Sequence, residues 1–309
     1  MTLLYYDPRF LDHDTGRHPE QAERLRQVAA RLNETGLMAR CTWQPATRER
    51  LERVHEPGHM DRVAAVAQSG GGMLDPDTVV SPASFDVAVL AAGAACDAVD
   101  RVLAGEAKTS LCLVRPPSHH ALPERAMGFC LFNNIAVAAR VATEEHGLDR
   151  VLIVDWDVHH GNGTQEVFYS DGRVGFFSAH RWPFYPGTGA ADETGAGDGL
   201  GTTRNLPIAF GTPRERYREL FQRDLDAFAA KVRPQLVLIS AGFDAHRTDP
   251  VGSLGLEVED FAELTKMVLN IAAAHADGRV VSILEGGYNP PVLAQCVEAH
   301  LRGLLSRER

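Results

Sequence analysis

The stretch VLIVDWDVHHGNG, residues Val151–Gly163, shows most directly which kind of fold the chain adopts. Its opening run of apolar residues is typical of a strand that is buried on both faces of a parallel sheet. Directly after this run, Asp155, Asp157 and His159 alternate along an extended segment, so their side chains project to one side of it. The stretch therefore predicts an α/β fold with a polar site at one edge of its sheet.

Short apolar runs of the same kind recur along the chain and alternate with longer stretches of helical period. This alternation predicts a three-layer αβα sandwich with a mostly parallel sheet, in a single domain that spans residues 1–309. The predicted strands are Leu3–Tyr6, Ser110–Val114, Val151–Asp155, Arg173–Phe177, Leu236–Ser240 and Val280–Leu284. The predicted helices are Pro19–Glu34, Gly58–Gln68, Ser84–Leu103, Asn133–His146, Pro213–Lys231, Glu259–His275 and Pro290–Leu305. Two stretches that are dense in Gly, Pro, Asp and Thr are expected to be loops, Ser69–Pro82 and His180–Asn205.

Composition restricts the class of function. The net charge of −10 over 309 residues disfavours direct binding of nucleic acid and mildly favours cationic substrates. The five cysteines are scattered without a CxxC pair, which fits a reducing cytoplasm and no disulfide framework. No stretch resembles a leader peptide or reaches the ~18 apolar residues of a membrane span, so we expect a cytoplasmic protein without a membrane partner. The sequence leaves open whether the protein forms an oligomer.

Polar clusters follow four of the other five predicted strands at their carboxyl ends. These clusters are RPPSHH (Arg115–His120), SAH (Ser178–His180), AGFDAH (Ala241–His246) and EGGY (Glu285–Tyr288). Open α/β sheets bind their ligands in the crevice at the carboxyl ends of the strands. We therefore expect these clusters to converge with the Asp and His residues of DWDVHH.

A metal site is the chemistry that these clusters favour. A single buried Asp is more often part of an ion pair or a helix cap, but two Asp residues alternating with a His reverse that expectation. Asp244, after Gly242, supplies a third ligand beside Asp157 and His159. Two carboxylates and one imidazole with an open position suit Zn²⁺, although they do not exclude Fe²⁺ or Mn²⁺.

The paired His119 and His120 supply groups that take up and release protons near neutral pH. Asp155 and Asn162 are available to orient the two rings. Tyr288, after two glycines, is placed to donate a hydrogen bond to a developing oxyanion. Each of these residues on its own would more often be packed structure or a turn, and only their common position at the strand ends favours catalysis.

Several motifs together resemble one known family. RPPSHHA, GFC followed by FNN, DWDVHHGNGTQ, PGTG, AGFDAH and EGGYN are similar to the zinc-dependent histone deacetylases and their bacterial relatives, the histone deacetylase-like and acetylpolyamine amidohydrolases. The resemblance runs from about Tyr5 to Leu305, with the motifs in the order of the family. Asn162, where class I enzymes carry Asp, favours the class II branch. The resemblance implies the arginase/deacetylase fold and a zinc-dependent hydrolase that removes acyl groups from acyl-lysine or similar N-acyl amines.

The resemblance also implies roles for the residues at the strand ends. Asp157, His159 and Asp244 match the zinc ligands, the same three residues that the sequence pattern favours. His120 would act as the general base, His119 as its electrostatic or acid partner, and Tyr288 would bind the carbonyl oxygen. Asp155 would orient His119, and Asn162 would face His120. Potassium beneath the zinc is also expected, held by Asp155, Asp157, His159, Ser178 and Ala179.

Residues further out are expected to bind the substrate. Phe129 and Tyr185 match the two aromatic side chains that flank the acyl-lysine tunnel, with Trp182 or Phe184 as the alternative to Tyr185. Asp77 matches a substrate-clamping Asp, and Arg24 resembles an arginine that lines an inner cavity. Gly128, Gly287 and Val251 complete the expected substrate-binding set.

Three other functions stay open at this point. An acetylpolyamine deacetylase would carry a Glu after an Asp-Pro pair at the pocket mouth, whereas Val251 follows Asp249 and Pro250 here. A binuclear manganese ureohydrolase would leave RPPSHH and EGGY without a role. A non-catalytic module that binds acylated ligands would not need the full set of catalytic groups.

Overall fold

The computed structural model describes residues 2–38 and 40–306. The strands in this part of the chain are Thr2–Tyr5 (β1), Gly72–Asp75 (β2), Thr78–Val80 (β3), Thr109–Cys112 (β4), Val151–Asp155 (β5), Val174–Trp182 (β6), Thr203–Ala209 (β7), Leu236–Ala241 (β8) and Val280–Leu284 (β9). Within these residues, seven strands form one parallel sheet in the order β1-β4-β9-β8-β5-β6-β7. The other two, β2 and β3, form a separate antiparallel hairpin.

Helices cover both faces of the sheet. They are Glu23–Glu34 (α1), Arg48–Glu52 (α2), Pro57–Gln68 (α3), Ser84–Leu103 (α4), Asn134–Arg140 (α5), Asn162–Phe168 (α6), Arg214–Val232 (α7), Val258–His275 (α8) and Pro290–Ser306 (α9). One layer contains α1, α9, α8 and α7, which pack on one another in that order, and the other contains α3, α4, α5 and α6. The predicted three-layer αβα sandwich with a mostly parallel sheet is confirmed.

Both stretches that were expected to be loops contain strand residues. The stretch His180–Asn205 begins inside β6, which continues to Trp182, and ends inside β7. The second stretch, Ser69–Pro82, contains the β2–β3 hairpin. β7 escaped the sequence analysis because it is an edge strand that pairs only with β6, so its outer side tolerates polar residues and Pro207.

Helix α1 begins later than its sequence period predicts, at Glu23 and not at Pro19. Glu20, which precedes the helix, is fully buried, and its carboxylate forms ion pairs with Arg24 and Arg115. The short helix α2 was not predicted, since its five residues are too few to show a helical period.

The order of the strands determines where the site forms. β9 is the last strand in the sequence, yet it lies between β4 and β8. In this order, the five polar clusters at the carboxyl ends of β4, β9, β8, β5 and β6 lie next to one another. Asp155, at the end of β5, pairs in register with Ser178 on one side and with Ser240 on the other. Among the helices that the structure describes, none is long and apolar enough to cross a membrane.

Candidate active site

Asp157, His159 and Asp244 come together at the carboxyl edge of the sheet. All three side chains are buried, and one ligand atom of each lies within 4.8 Å of the others. His159 Nδ1 lies 3.0 Å from Asp157 Oδ1 and 3.1 Å from Asp244 Oδ2. Two ligands of one tetrahedral zinc ion are about 3.3 Å apart. The three residues therefore have the spacing of a metal site.

The charges of these three residues also suit a cation. Among the described residues, no well-directed hydrogen bond reaches the buried Asp244 Oδ2, and the ring nitrogen 3.1 Å from it, His159 Nδ1, belongs to the same triad. Burial and the neighbouring charge of Asp157 raise the pKa of Asp244 above its usual range. Two adjacent buried carboxylates are unfavourable unless a positive charge compensates them. The donor set, two carboxylates and one imidazole, thus fits a divalent metal ion in both charge and ligand type.

Backbone groups hold both carboxylates in this arrangement. The Gly286 N–H donates to Asp157 Oδ2 over 2.9 Å, and the Val158 N–H donates to Asp244 Oδ1 over 2.9 Å. A Cβ at Gly242 would lie 2.2 Å from Asp157 Oδ2, and one at Gly286 would lie 2.3 Å from Asp244 Oδ2. Glycine is needed at both positions because the backbone approaches the carboxylates so closely.

The paired histidines lie beside this triad with their rings 4.0 Å apart. His119 Nδ1 lies 2.9 Å from Asp155 Oδ2, and its Nε2 lies 3.8 Å from Asp157 Oδ1. His120 Nδ1 lies 2.7 Å from Asn162 Oδ1. An amide oxygen only accepts hydrogen bonds, so Nδ1 of His120 carries the proton and Nε2 keeps its lone pair in the neutral ring.

The two partners give the two imidazoles different proton affinities. Burial alone would lower the pKa of His119, but the charges of Asp155 and Asp157 outweigh it and raise this pKa to about 10. Burial and the nearby positive charges of His119 and His159 hold the pKa of His120 well below its usual range. The pair therefore combines a cationic His119 with a neutral His120 that is able to accept a proton.

Tyr288 lies next to the triad and is almost fully buried. Burial raises the pKa of its hydroxyl well above the usual value, so the group remains a hydrogen-bond donor. The Tyr288 N–H donates to Asp249 Oδ2 over 2.6 Å, and Asp249 Oδ1 accepts the N–H groups of Val251 and Gly252 over 2.9 Å each. Asp249 thus joins the Tyr288 turn to the neighbouring loop, a role that the sequence analysis missed.

A cavity of about 220 Å³ opens above these groups. Pockets for drug-sized ligands reach about 300–1,000 Å³, so this cavity is suited to a narrow, linear group. Phe184 is stacked on the imidazole of His159, with ring centroids 5.2 Å apart, and Tyr185 stands edge-on to His120 at 5.2 Å. The cavity is lined by Asp77, His120, Gly128, Phe129, His159, Phe184, Tyr185, Val251 and Tyr288.

Comparison with known proteins matches this arrangement to one family. The family model of the histone deacetylase domain matches residues 18–304. The chain belongs to the histone deacetylase family. A histone deacetylase-like amidohydrolase of Pseudomonas aeruginosa is 41% identical over 283 residues, which cover 90% of this chain and 74% of that protein. A probable deacetylase of Archaeoglobus fulgidus is 39% identical over 94% of this chain and 82% of its own length.

A solved structure supports the same assignment. The crystal structure of the HDA15 HD domain matches this histone deacetylase family member with a TM-score of 0.93 and 39% sequence identity. The match covers 98% of this chain and 88% of that one. The arginase/deacetylase fold implied by the sequence motifs is thereby confirmed.

Three of the residues expected to hold potassium, Asp155, Ser178 and Ala179, lie on β5 and β6 of this histone deacetylase family member, outside the triad. Asp155 and Ser178 are buried neighbours in register on adjacent strands, and Ala179 follows on β6. Asp155 Oδ1 accepts the Asp157 N–H over 3.1 Å. Ser178 Oγ lies 3.0 Å from His180 Nδ1, so its hydroxyl already has a protein partner.

Two residues expected to bind substrate do not line the cavity of this family member. Arg24 is fully buried, and its guanidinium lies 5.0 Å from the centroid of the Tyr288 ring. Its Nε donates to the Gly287 carbonyl over 2.6 Å, and it also donates to the carbonyl of Glu285. Arg24 and Gly287 therefore support the Tyr288 turn. Trp182, the alternative to Tyr185, is also absent from the lining, which contains Phe184 and Tyr185.

Glu285 is a buried acid to which the sequence analysis gave no role. Its carboxylate accepts the N–H groups of Ser118, over 2.6 Å, and of His119, over 3.2 Å, together with the hydroxyls of Ser118 and Ser240. Burial raises the pKa of Glu285 to about 7. Glu285 thus joins the end of β9 to the loop that carries both histidines. The signal in the sequence was its place directly after the apolar strand VVSIL.

A stack of aromatic and cationic side chains supports the side of the cavity that Phe184 and Val251 form. The sequence analysis missed this stack as well. The Arg181 guanidinium lies 4.1 Å from the centroid of the Phe184 ring and 4.3 Å from that of Phe210. Arg181 Nη1 also donates to the Gly252 carbonyl over 3.0 Å, next to Val251. Because Phe184 covers His159, Arg181 supports two parts of the cavity wall at once.

Proposed function

We propose that this chain is a zinc-dependent hydrolase that removes acyl groups from acyl-lysine or a similar N-acyl amine. Its family acts on amides, and the names of its relatives describe deacetylases and amidohydrolases. The observation that carries the proposal is the placement of Asp157, His159 and Asp244 beside the paired histidines His119 and His120 at the bottom of a narrow cavity.

Asp157, His159 and Asp244 would hold the zinc ion. When bound there, zinc would polarise the amide carbonyl and lower the pKa of a water molecule. The choice of zinc over iron or manganese rests on the family resemblance and on a donor set that suits a borderline cation. Potassium in contact with Asp155, Asp157, His159, Ser178 and Ala179 is a further proposal, and it rests on the resemblance alone.

The remaining steps are assigned to side chains of this protein. His120 accepts a proton from the attacking water at Nε2, since its Nδ1 donates to Asn162. The Tyr288 hydroxyl donates a hydrogen bond to the carbonyl oxygen as negative charge develops there. His119 stays cationic beside Asp155 and stabilises that negative charge, and His120 returns the proton that it took from the water to the leaving amine.

The lining of the cavity supports an acyl-lysine or uncharged amide in preference to an acetylpolyamine. Phe129, Phe184, Tyr185 and Val251 form apolar walls around the space that the acyl chain and its methylene stem would occupy. Val251 offers no carboxylate to a second amine of the substrate. Asp77 contributes a carboxylate to the lining and is the residue proposed to hold the substrate backbone.

The experiment is a turnover screen that varies acyl length and amine together, with metal quantified on the same purified sample. The substrates are acetyl-, propionyl- and butyryl-lysine peptides, the same acyl groups on spermidine and putrescine, and simple N-alkyl amides. We expect one zinc per chain, loss of turnover on chelation, recovery on adding zinc, and preference for the lysine peptides. Zinc-loaded protein that hydrolyses none of these amides, or two manganese ions per chain in the active form, would overturn the proposal.

A further inference from the structure

The turn that carries Phe129 has an unusual backbone for an aromatic residue. Met127 and Cys130 exchange both backbone hydrogen bonds, over 3.2 Å and 2.9 Å, around the two residues between them. Gly128 has a φ of +57° and Phe129 a φ of +69°. Positive φ at both central positions is the pattern of a type I′ hairpin turn, which favours Gly or Asn. Phe129 is therefore held in a conformation that its side chain disfavours.

The position of this turn matters because it contacts two groups of the site. A Cβ at Gly128 would lie 2.4 Å from His120 Cδ2, so the turn packs directly on the histidine pair. The Phe129 ring stands edge-on to the Tyr288 ring, with centroids 5.6 Å apart. The turn thus forms one wall of the cavity, which Gly128 and Phe129 both line.

The β2–β3 hairpin supplies the contacts that hold the turn. The Phe129 N–H donates to Thr78 Oγ1 over 3.1 Å, and the Gly128 N–H donates to Asp77 Oδ1 over 3.2 Å. The Thr78 hydroxyl in turn donates to Asp77 Oδ1 over 3.0 Å. Thr78 is fully buried, so no water replaces its oxygen when it is removed.

A histidine from the amino-terminal segment completes this support. His18 Nε2 lies 3.2 Å from the carbonyl oxygen of Asp77, and the His18 ring stands edge-on to Phe129 with centroids 4.5 Å apart. Asp77 lines the cavity, whereas Thr78 and His18 contact the turn without lining it.

We propose that Thr78 is a positioning residue that holds Phe129 in its left-handed conformation and so determines the acyl-chain width that the cavity accepts. The effect on selectivity rests on the proposed deacylase function, while the effect on the Phe129 turn does not. Without the Thr78 hydroxyl, the part-buried Phe129 N–H loses its partner and the turn relaxes away from the histidine pair. A wider cavity then favours butyryl over acetyl substrates relative to the native protein.

The test compares Thr78→Val, which keeps the shape and removes the hydroxyl, with Thr78→Ser, which keeps the hydroxyl. Thr109→Val is the matched control, because Thr109 is also buried and its hydroxyl bonds to Thr2 Oγ1 over 2.7 Å at the other end of β4. We expect Thr78→Val to lower kcat/KM for the acetyl-lysine peptide by about tenfold, the effect of one lost hydrogen bond. The ratio of butyryl to acetyl kcat/KM should rise about threefold or more, and Thr78→Ser should restore it.

Crystal structures of the same variants provide a readout that does not require activity. We expect Phe129 to leave positive φ in Thr78→Val and to keep it in Thr78→Ser and Thr109→Val. An unchanged Phe129 turn in Thr78→Val overturns the proposal, as does an unchanged butyryl to acetyl ratio in an active variant. If the native protein hydrolyses none of the amides, the deacylase function fails, and the Phe129 conformation alone decides whether Thr78 holds the turn.

Discussion

The bottom and the rim of the cavity are built in different ways. The bottom consists of Asp157, His159, Asp244 and the two histidines, which are buried beyond the carboxyl ends of β5, β8 and β4 and bound to groups that are buried or half-buried. The rim consists of aromatic and apolar side chains on turns and loops, several of which are partly exposed. On the proposed function, bond-breaking would depend on the order of the strands, whereas the choice of substrate would depend on the contacts that hold the loops. Substitutions at the bottom should mainly change kcat, and substitutions at the rim should mainly change KM and selectivity.

The largest effect is expected from a metal ligand. Asp244→Asn should lower kcat/KM by more than about 10³-fold, because a metal supplies several kcal/mol of transition-state stabilisation. Zinc content, measured on the purified variant, should fall together with activity. Asp226→Asn on the exposed side of α7 is the matched control and should keep both. An Asp244→Asn enzyme that retains native zinc and native turnover would remove Asp244 from the metal site.

Tyr288→Phe should lower kcat by roughly 10²–10³-fold, the usual effect of losing one oxyanion donor. The loss should appear in kcat with zinc content unchanged, since the hydroxyl acts on the substrate. Tyr169→Phe, on a half-exposed tyrosine that follows α6, serves as the control. Native kcat in Tyr288→Phe would mean that the hydroxyl does not bind the carbonyl oxygen.

The two histidines have different hydrogen-bond partners, and this difference leads to a prediction about the pH dependence of kcat/KM. Asn162→Asp places a carboxylate beside His120 and should raise its pKa by about 1–3. A general base works in its neutral form, so activity is lost as pH falls through its pKa, and a raised pKa moves this loss to higher pH. The acidic limb of the kcat/KM profile should therefore shift upward in Asn162→Asp. An acidic limb at the native position would show that His120 is not the base.

The smallest effect is expected at the rim. Arg181→Met keeps the length of the side chain but removes the cation between Phe184 and Phe210 and the hydrogen bond to Gly252. KM for the acyl-lysine peptide should rise about threefold to tenfold, with kcat within about twofold, because only the cavity wall loosens. Arg216→Met, on an exposed residue of α7, is the control. A loss confined to kcat would place Arg181 in the chemistry and not in the wall.

The residues at the bottom of the cavity could be predicted from the sequence because the pattern that marks them is local. A carboxylate directly after an apolar strand, such as Asp155, can be recognised from a few neighbouring residues. Open α/β sheets place the carboxyl ends of such strands at one edge. The proposed chemical roles of these residues stay predictions, although the structure brings the side chains together. The residues that support the rim were harder to predict from the sequence, since Thr78, Arg181 and Phe210 carry no local pattern that distinguishes them from ordinary loop and strand residues.

The sequence by itself determined the alternation of strands and helices, the parallel sheet and the polar groups at its carboxyl edge. Only the tertiary structure decided that β9 lies between β4 and β8, and that β7 forms an edge strand in a region expected to be a loop. It alone placed Thr78 against Phe129, 51 residues away along the chain. The physical reason is that hydrophobic period depends on neighbouring residues, whereas strand order and loop contacts depend on packing between distant segments.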